Sequence, residues 1–329
     1  MKLGIVGATG MVGRTMIKLL EERKFPVNNL FLSASKISIG KELFFRDKRH
    51  KIISIEDLLS IRPNIVLFSA GSDISRIWAP KFSRIGCFVI DNSSAWRMHP
   101  EKKLIVPEIN SCFLSKKDKI ISNPNCSTIQ LVMILNPLHI EYGINRVVIS
   151  TYQSVTGTGR KALIQLKEEE KGFSSMKVYP YPIYHNVLPH CDMFEKNGYT
   201  KEEIKLIKET KKILNDQNIA ITATAVRVPV IGGHSESVNI TLKTKPNIDK
   251  IQKIFSNSKG IILQDNPDKN IYPMPLFSHN KDDVFVGRIR IDDSCVNSLN
   301  LWITSDNLRK GAATNAIQIA ELLIEKKYI

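Results

Sequence analysis

Cys126 follows Ile121-Ser122-Asn123-Pro124-Asn125 and is followed by Ser127 and Thr128. Lys119 to Ile121 reads as the end of a strand, and apolar residues at helical spacing run from Ser127 to Ile140, so Asn123-Pro124-Asn125 is the turn between them. This pattern predicts a cysteine at a helix amino terminus. Unpaired N–H groups and the positive end of the helix dipole there favour thiolate over thiol, and the same N–H groups can hold a developing oxyanion. The chemistry expected of such a residue is nucleophilic. The alternative is a buried core cysteine beside an Asx-type turn.

A second chemical signature lies at the start of the chain. Lys2 to Val6 reads as a short apolar strand, Gly7-Ala8-Thr9-Gly10-Met11-Val12-Gly13 follows at once, and an amphipathic helix runs on through Glu22. Glycines three residues apart let the backbone turn tightly and approach a pyrophosphate seated on the helix amino terminus. The next strand, Asn29 to Leu32, ends in Ser33-Ala34-Ser35-Lys36 with no acidic residue for a ribose 2′-hydroxyl. Two hydroxyls and a lysine suit a 2′-phosphate, so the cofactor reads as NADP, the alternative being a plain polar loop.

Further short elements position these residues. Ile52 to Ile55 reads as a strand, Glu56 to Ser60 as a short helix, and Ile65 to Phe68 as a buried strand entering the small-residue turn Ser69-Ala70-Gly71. Asp73 to Arg84 reads as a helix and Phe88 to Ile90 as a strand, after which Asp91 to Arg97 is a polar loop that delivers Arg97 to the same edge. Leu104 to Val106 and Lys119 to Ile121 continue the sheet toward Cys126. Short apolar strands alternating with helices predict a parallel, doubly wound, Rossmann-type domain.

After the Cys126 helix the pattern changes. Arg146 to Gln153 is a β-branched strand leading to the turn Ser154 to Gly159, and Lys161 to Lys171 is helical. Tyr179 to Asp192, rich in Pro, Tyr and His, has no periodicity and reads as a covering loop or partner contact. Thr200 to Leu214 is an amphipathic helix with Glu202 and Lys205 one turn apart, whose plain reading is a solvated pair. Ile219 to Val230, Ser237 to Lys243, Val284 to Ile291 and Leu299 to Thr304 read as strands of an antiparallel or mixed sheet, with Ile248 to Phe255 a helix. Lys310 to Lys326 reads as a long helix that packs back on the first domain. The expected division is residues 1–126 with 309–329 as the NADP-binding domain, and 127–308 as an α+β substrate and dimerisation domain.

The bulk numbers exclude other classes. A net charge of +15 is spread along 329 residues, without the basic block or aromatic interleaving of a nucleic-acid surface. The five cysteines are widely separated, with no C-x-x-C and no Cys/His cluster, so neither a disulfide framework nor a metal site is expected. The amino-terminal residues enter a strand directly and no apolar run has spanning length, which predicts a cytoplasmic protein without membrane contact.

The Gly7 to Gly13 turn, Asn123 to Thr128, Gln153-Ser154-Val155, Arg227-Val228-Pro229-Val230 ahead of His234, and Asp306 to Ala313 occur in this order. In these motifs, over nearly its whole length, the chain resembles the aspartate-semialdehyde dehydrogenases. The glycine turn is common to many folds, whereas the cysteine motif combined with the Arg227 and His234 segment is specific. Trp96 stands where the family often has Phe, and Gly232-Gly233 before His234 is one of several spacings found there.

The resemblance implies NADP-dependent interconversion of L-aspartyl 4-phosphate and L-aspartate 4-semialdehyde, on the route to diaminopimelate, lysine, methionine and threonine, by a homodimer, the alternative being a tetramer. It implies Cys126 as nucleophile and His234 as general acid/base. Gln153, Glu202 and Arg227 fall on substrate contacts, and Arg97, Asn125 and Lys205 on a phosphate site. Gly7, Thr9, Gly10, Met11, Val12, Ser33, Ala34, Ser35, Lys36, Ser69, Ala70, Gly71, Thr156, Gly157 and Asn315 fall on cofactor-contacting segments. N-acetyl-γ-glutamyl-phosphate reductase and a malonyl-CoA-reducing relative share the chemistry. Asn125 before the cysteine and the Glu202/Lys205 helix argue against the first of these. A nucleotide-binding regulator without catalysis would leave Cys126 incidental.

Overall fold

Leu3, Ile5 and Val6 have no polar side-chain atom to keep in water, and Lys2–Val6 forms β1, the start of the first sheet. In the computed structural model, which describes residues 1–173 and 177–329, the chain divides into one unit of Met1–Asn125 with Ala312–Ile329 and a second of Cys126–Gly311.

The first unit holds β1, β2 (Asn29–Ser33), β3 (Glu42–Phe45), β4 (Lys48–Ile53), β5 (Ile65–Phe68), β6 (Phe88–Asp91), β7 (Lys103–Leu104) and β8 (Ile120–Ser122). Their order is β3-β4-β2-β1-β5-β6-β8-β7, parallel throughout except between β3 and β4. Every residue of β5 is buried, as a strand covered on both faces requires. One face packs on the Met11–Glu22 helix through Met16, Leu19 and Leu20, and on Ala316, Ile317 and Leu323 of the carboxy-terminal Asn315–Glu325 helix. Val66, Phe68, Leu58 and Phe82 fill the other face.

Local chemistry explains where elements depart from the sequence reading. Ser54 accepts a hydrogen bond from the Asp57 N–H as a helix cap, so Ile55 opens the Ile55–Ile61 helix instead of ending a strand. The β3–β4 hairpin was not expected because Arg46-Asp47, both at positive φ, lack the usual Asn-Gly or Asp-Gly signal. Only Lys103 and Leu104 pair in β7, since Pro107 begins a short helix just beyond. The long carboxy-terminal helix opens with a wide turn over Arg309–Thr314 before its α-helical part.

The second unit begins with the Cys126–Tyr142 helix, whose residues from Ser127 to Leu135 are all buried. Its strands are β9 (Ile144–Gln153), β10 (Ala220–Arg227), β11 (His234–Leu242), β12 (Ile261–Leu263), β13 (Val284–Ile291) and β14 (Ser298–Ser305). They run in the order β10-β9-β11-β14-β13-β12, with β9/β10 and β12/β13 parallel and the rest antiparallel, so the sheet is mixed. The Cys126–Tyr142 helix packs on β9, β11, β13 and β14, flanked by the Lys201–Ile213 and Ile248–Asn257 helices. Tyr152 and Trp302, with rings 5.3 Å apart, belong to the other residue alternation, with Ser237 and Asn239. Among the described residues no helix is long and apolar enough to cross a membrane.

Candidate active site

Register decides the site in the second unit. Parallel pairing sets Arg227 at the end of β10 beside Gln153 at the end of β9, and antiparallel pairing brings the first residue of β11, His234, to the same end of the sheet. The Cys126 helix opens here as well. An added Cβ on Gly311 would stand 2.8 Å from the Cys126 Cβ, so glycine is what lets this backbone approach the cysteine. The Gln153 amide donates to Ser127 Oγ at 3.1 Å, Thr151 Oγ1 at 3.3 Å and Glu202 Oε1 at 3.3 Å. One buried side chain therefore ties the start of the cysteine helix to the Lys201–Ile213 helix.

Glu202 lies in the first turn of that helix, which Thr200 and Glu203 close with a capping box. Its Oε2 meets the Lys205 ammonium at 3.1 Å, and Asp192 Oδ2 meets the same ammonium at 2.7 Å. Burial works against the charge on Lys205, but the Glu202 and Asp192 carboxylates outweigh it and raise its pKa. The pair that could have been a solvated surface feature is thus mostly enclosed, with Glu202 only 7% exposed.

Arg227 is buried, donates from Nη1 to the Ser154 carbonyl at 2.7 Å, and leaves Nε without a partner among the described residues. A buried guanidinium edge without an acceptor is costly unless a ligand completes it. His234 is fully buried; its Nδ1 accepts from the Ser154 N–H at 3.0 Å, and its Nε2 has no partner among the described residues. Burial, then the nearby Arg227 charge, hold its pKa down to about 3, with Glu202 and the Gly233 carbonyl acting in the opposite sense. At neutral pH the ring is therefore uncharged. An added Cβ on Gly157 would lie 3.1 Å from His234 Nε2 and 2.9 Å from Arg227 Nη1, so Gly157 keeps open the space both groups face. Asn307 accepts from the Ser154 and Thr156 hydroxyls and from the Gly233 N–H, which fastens the loop leading into His234.

The other cysteines lack this setting. Burial pushes the Cys191 thiol up to about 12 and raises Cys87 further, which keeps both protonated and inert.

In the first unit a cavity of about 550 Å³ is lined by Gly7, Thr9, Gly10, Ser33, Ala34, Ser35, Lys36, Ser69 and Ala70. Gly7, at φ +89, would place a Cβ 2.2 Å from the Ser69 carbonyl, and a Cβ on Gly13 would stand 2.3 Å from that of Gly7. Only glycines allow this closeness. Among the described residues the buried Ser33 hydroxyl has no partner and the helix after Gly10 has no side-chain cap, so donors remain for a ligand. These features fit a dinucleotide. Ile39, Ile55, Ile74 and Trp78 add an apolar wall suited to a base, and Glu56 brings a carboxylate to the same cavity. The end of β2 gave no sign of Glu56, which arrives from the next helix.

The remaining expected residues fall elsewhere. Met11, Val12 and Gly71 border the two turns but do not line this cavity, and Thr156 and Gly157 belong to the second unit. Asn315 is fully buried and donates to the Ile105 carbonyl and to Asn123 Oδ1, a bracing position within the first unit. Arg97 donates to the Asn123 and Asn92 carbonyls at 2.9 and 2.7 Å, and Asn125 is buried at the end of the turn after β8. Gly311, Asn307, Ser154 and Asp192 were given no role from the sequence. Gly311 and Asn307 lie within a motif noted there, but only the fold brings them to Cys126 and His234.

Two family descriptions match the chain: "Semialdehyde dehydrogenase, NAD binding domain" over residues 2–116 and "Semialdehyde dehydrogenase, dimerisation domain" over residues 135–310. The fold is thus that of the semialdehyde dehydrogenases, with a dinucleotide-binding domain and a mixed-sheet domain. Among similar proteins, the aspartate-semialdehyde dehydrogenase of Aquifex aeolicus (strain VF5) is 48% identical over 337 residues, covering 100% of this chain and 99% of that one. That of Bacillus subtilis (strain 168) is 42% identical over 334 residues, covering 98% and 96%. A crystal structure of aspartate semialdehyde dehydrogenase II from Vibrio cholerae, complexed with ASA, superposes with a TM-score of 0.94 at 40% identity and covers 98% of each chain. The chain belongs to the aspartate-semialdehyde dehydrogenase family.

Proposed function

We propose that the chain reduces L-aspartyl 4-phosphate to L-aspartate 4-semialdehyde and phosphate with NADPH, through a thioester on Cys126, on the route to diaminopimelate, lysine, methionine and threonine. The observation that carries this reading is the buried Gln153 amide, which joins the start of the Cys126 helix to Glu202, at the sheet end where Arg227 and His234 also meet.

The Cys126 sulfur attacks the acyl carbon, and the carbon–oxygen bond to phosphate breaks as the sulfur–carbon bond forms. The proton consumed overall leaves on the phosphate. Bound NADPH supplies the hydride that the thioester accepts more readily than a carboxylate would. His234, with its proton on Nε2 in the neutral form, donates a hydrogen bond to the oxygen that gains charge at the former carbonyl; that oxygen's electron pair then re-forms the carbonyl as the bond to sulfur breaks, freeing the aldehyde and the Cys126 thiolate while the proton stays on Nε2. Arg227 receives the α-carboxylate on its open edge, while Glu202 pairs with the α-ammonium. Gln153 orients the reacting carbonyl. Arg97, Asn125 and Lys205 are each assigned to the phosphate.

Ser33, Ser35 and Lys36 support NADP over NAD. The match to a semialdehyde dehydrogenase dimerisation domain and the aromatic pair Tyr152–Trp302 support a homodimer formed through the second unit's sheet and the Tyr179 to Asp192 connection. The widely spaced thiols fit a reducing cytoplasm. NADPH consumption with L-aspartyl 4-phosphate tests the activity. Turnover is expected with this substrate and not with N-acetyl-γ-glutamyl phosphate or malonyl-CoA, and Cys126→Ala is expected to abolish it while the fold persists. Appreciable turnover by the alanine variant excludes the thioester. Sedimentation at assay concentration tests the dimer.

A further inference from the structure

Lys205 is enclosed by two carboxylates, of which Glu202 already has a task in the proposed reaction. Asp192 has none. Its Oδ2 makes the shorter contact with the ammonium, 2.7 Å against 3.1 Å for Glu202, and its Oδ1 accepts from the Met193 N–H at 2.9 Å. The segment carrying it is anchored on both sides. Leu188 exchanges two backbone hydrogen bonds with Arg227, at 2.9 and 2.7 Å, and the Met193 carbonyl accepts from the Lys201 N–H at 2.8 Å. Phe194 bridges to Thr200. Asp192 thus sits in a left-handed conformation, φ 68, on backbone fixed to the strand that ends in Arg227 and to the start of the Lys205 helix.

An ammonium has three donors. Two are held by anions here, so a phosphate that approaches Lys205 meets a cation already neutralised, with one carboxylate in excess. Because the backbone around Asp192 is pinned, the carboxylate has only a side-chain rotation by which to withdraw. Charge within a few ångströms of a half-enclosed site is poorly screened. Burial pushes the Asp192 carboxyl toward the neutral acid, but its bond to Lys205 and the Lys205 charge override this and lower its pKa, so it stays anionic at neutral pH.

We propose that Asp192 is a specificity-determining residue that competes with phosphate for Lys205, weakening the hold on the inorganic ion. The inference rests on the assignment of Lys205 to the phosphate. Its consequence in the reductive direction is that phosphate, once released from the acyl group, is displaced from Lys205 by a carboxylate built into the fold.

The test is semialdehyde oxidation by the full-length enzyme at varied inorganic phosphate, with sulfate as a non-reacting competitor. Asp192→Asn keeps the acceptor for the Met193 N–H and tolerates positive φ. It is expected to lower the apparent KM for phosphate and the inhibition constant for sulfate each by about tenfold, with the KM for semialdehyde within about twofold. Asp192→Gly, which also suits the backbone, is expected to do the same if the asparagine variant folds poorly. Lys205→Met is expected to raise the phosphate KM, and Asp192→Asn added to it to have no further effect. An unchanged phosphate KM in Lys205→Met overturns the assignment of Lys205 itself and the inference with it. A raised phosphate KM in Lys205→Met, with an unchanged or raised one in Asp192→Asn, overturns the competition alone and makes Asp192 a residue that merely orients the lysine.

Discussion

The Ser154 amide donates to Nδ1 of His234 at 3.0 Å, which leaves the proton of the neutral imidazole on Nε2, the nitrogen without a partner. A ring in that state donates a hydrogen bond at the open nitrogen and does not accept a proton there. His234→Gln should therefore lower kcat by about 10²–10⁴-fold while the rate of Cys126 alkylation by iodoacetamide at pH 7 stays within about threefold, since the helix amino terminus stabilises the sulfur anion. A parallel collapse of the alkylation rate would assign His234 to the thiol proton instead.

Gly311 is held against Cys126 so closely that a methyl group there would stand 2.8 Å from the cysteine Cβ. Both positions lie in helical backbone, so Gly311→Ala forces one against the other and shifts the cysteine. A displacement on the order of 1 Å costs about 10²-fold in rate, and kcat/KM should fall by that much. Dinucleotide affinity, measured by fluorescence titration, should be preserved.

Lys36 and Glu56 line one cavity with opposite charges. If a 2′-phosphate is bound there, Lys36→Ala lowers kcat/KM for NADPH by about tenfold through loss of a charge-assisted contact, leaves NADH nearly unchanged, and Glu56→Gln improves NADPH. A higher kcat/KM for NADH than for NADPH in the unmodified enzyme would show that Glu56, and not Lys36, governs the choice.

Glu236 is fully buried two residues beyond His234, and neither carboxylate oxygen has a hydrogen-bond partner among the described residues. Burial pushes its pKa from 4.5 up to about 8, with Gln130 beside it pulling the other way. The folded protein therefore holds a proton that the unfolded chain releases above about pH 4.5. This contribution to stability is complete below that pH and is lost as the pH rises through about 8. Between pH 6 and pH 9 the loss amounts to about 2–3 kcal/mol. Glu236→Gln should abolish it, so denaturation curves of the variant should be flatter with pH over that range. An unchanged alkaline decline would place its cause at another group.

Elements whose cause is local were legible in the sequence. The strand, glycine turn and helix of Lys2 to Glu22 follow from apolar spacing and from glycines that approach other backbone within van der Waals limits. The helix that opens at Cys126 follows equally from Asn123-Pro124-Asn125 and the apolar run beyond it. The β3–β4 hairpin was not legible, because its turn uses two residues at positive φ that carry no usual signature. Nor could spacing show that the Glu202–Lys205 pair is enclosed, since Asp192 reaches the lysine only through a segment pinned to Arg227. Gln153, Arg227 and His234 are separated by long stretches of chain, and their meeting depends on one parallel and one antiparallel register in the same sheet. Such registers are set by which faces are buried across several strands at once, a property of the assembled core. The sequence alone determined the local turns, the helix start at the cysteine and the family likeness. The tertiary structure decided which groups face one another, that His234 is neutral, and that Lys205 is shared between two carboxylates, because burial and proximity exist only once the core has formed.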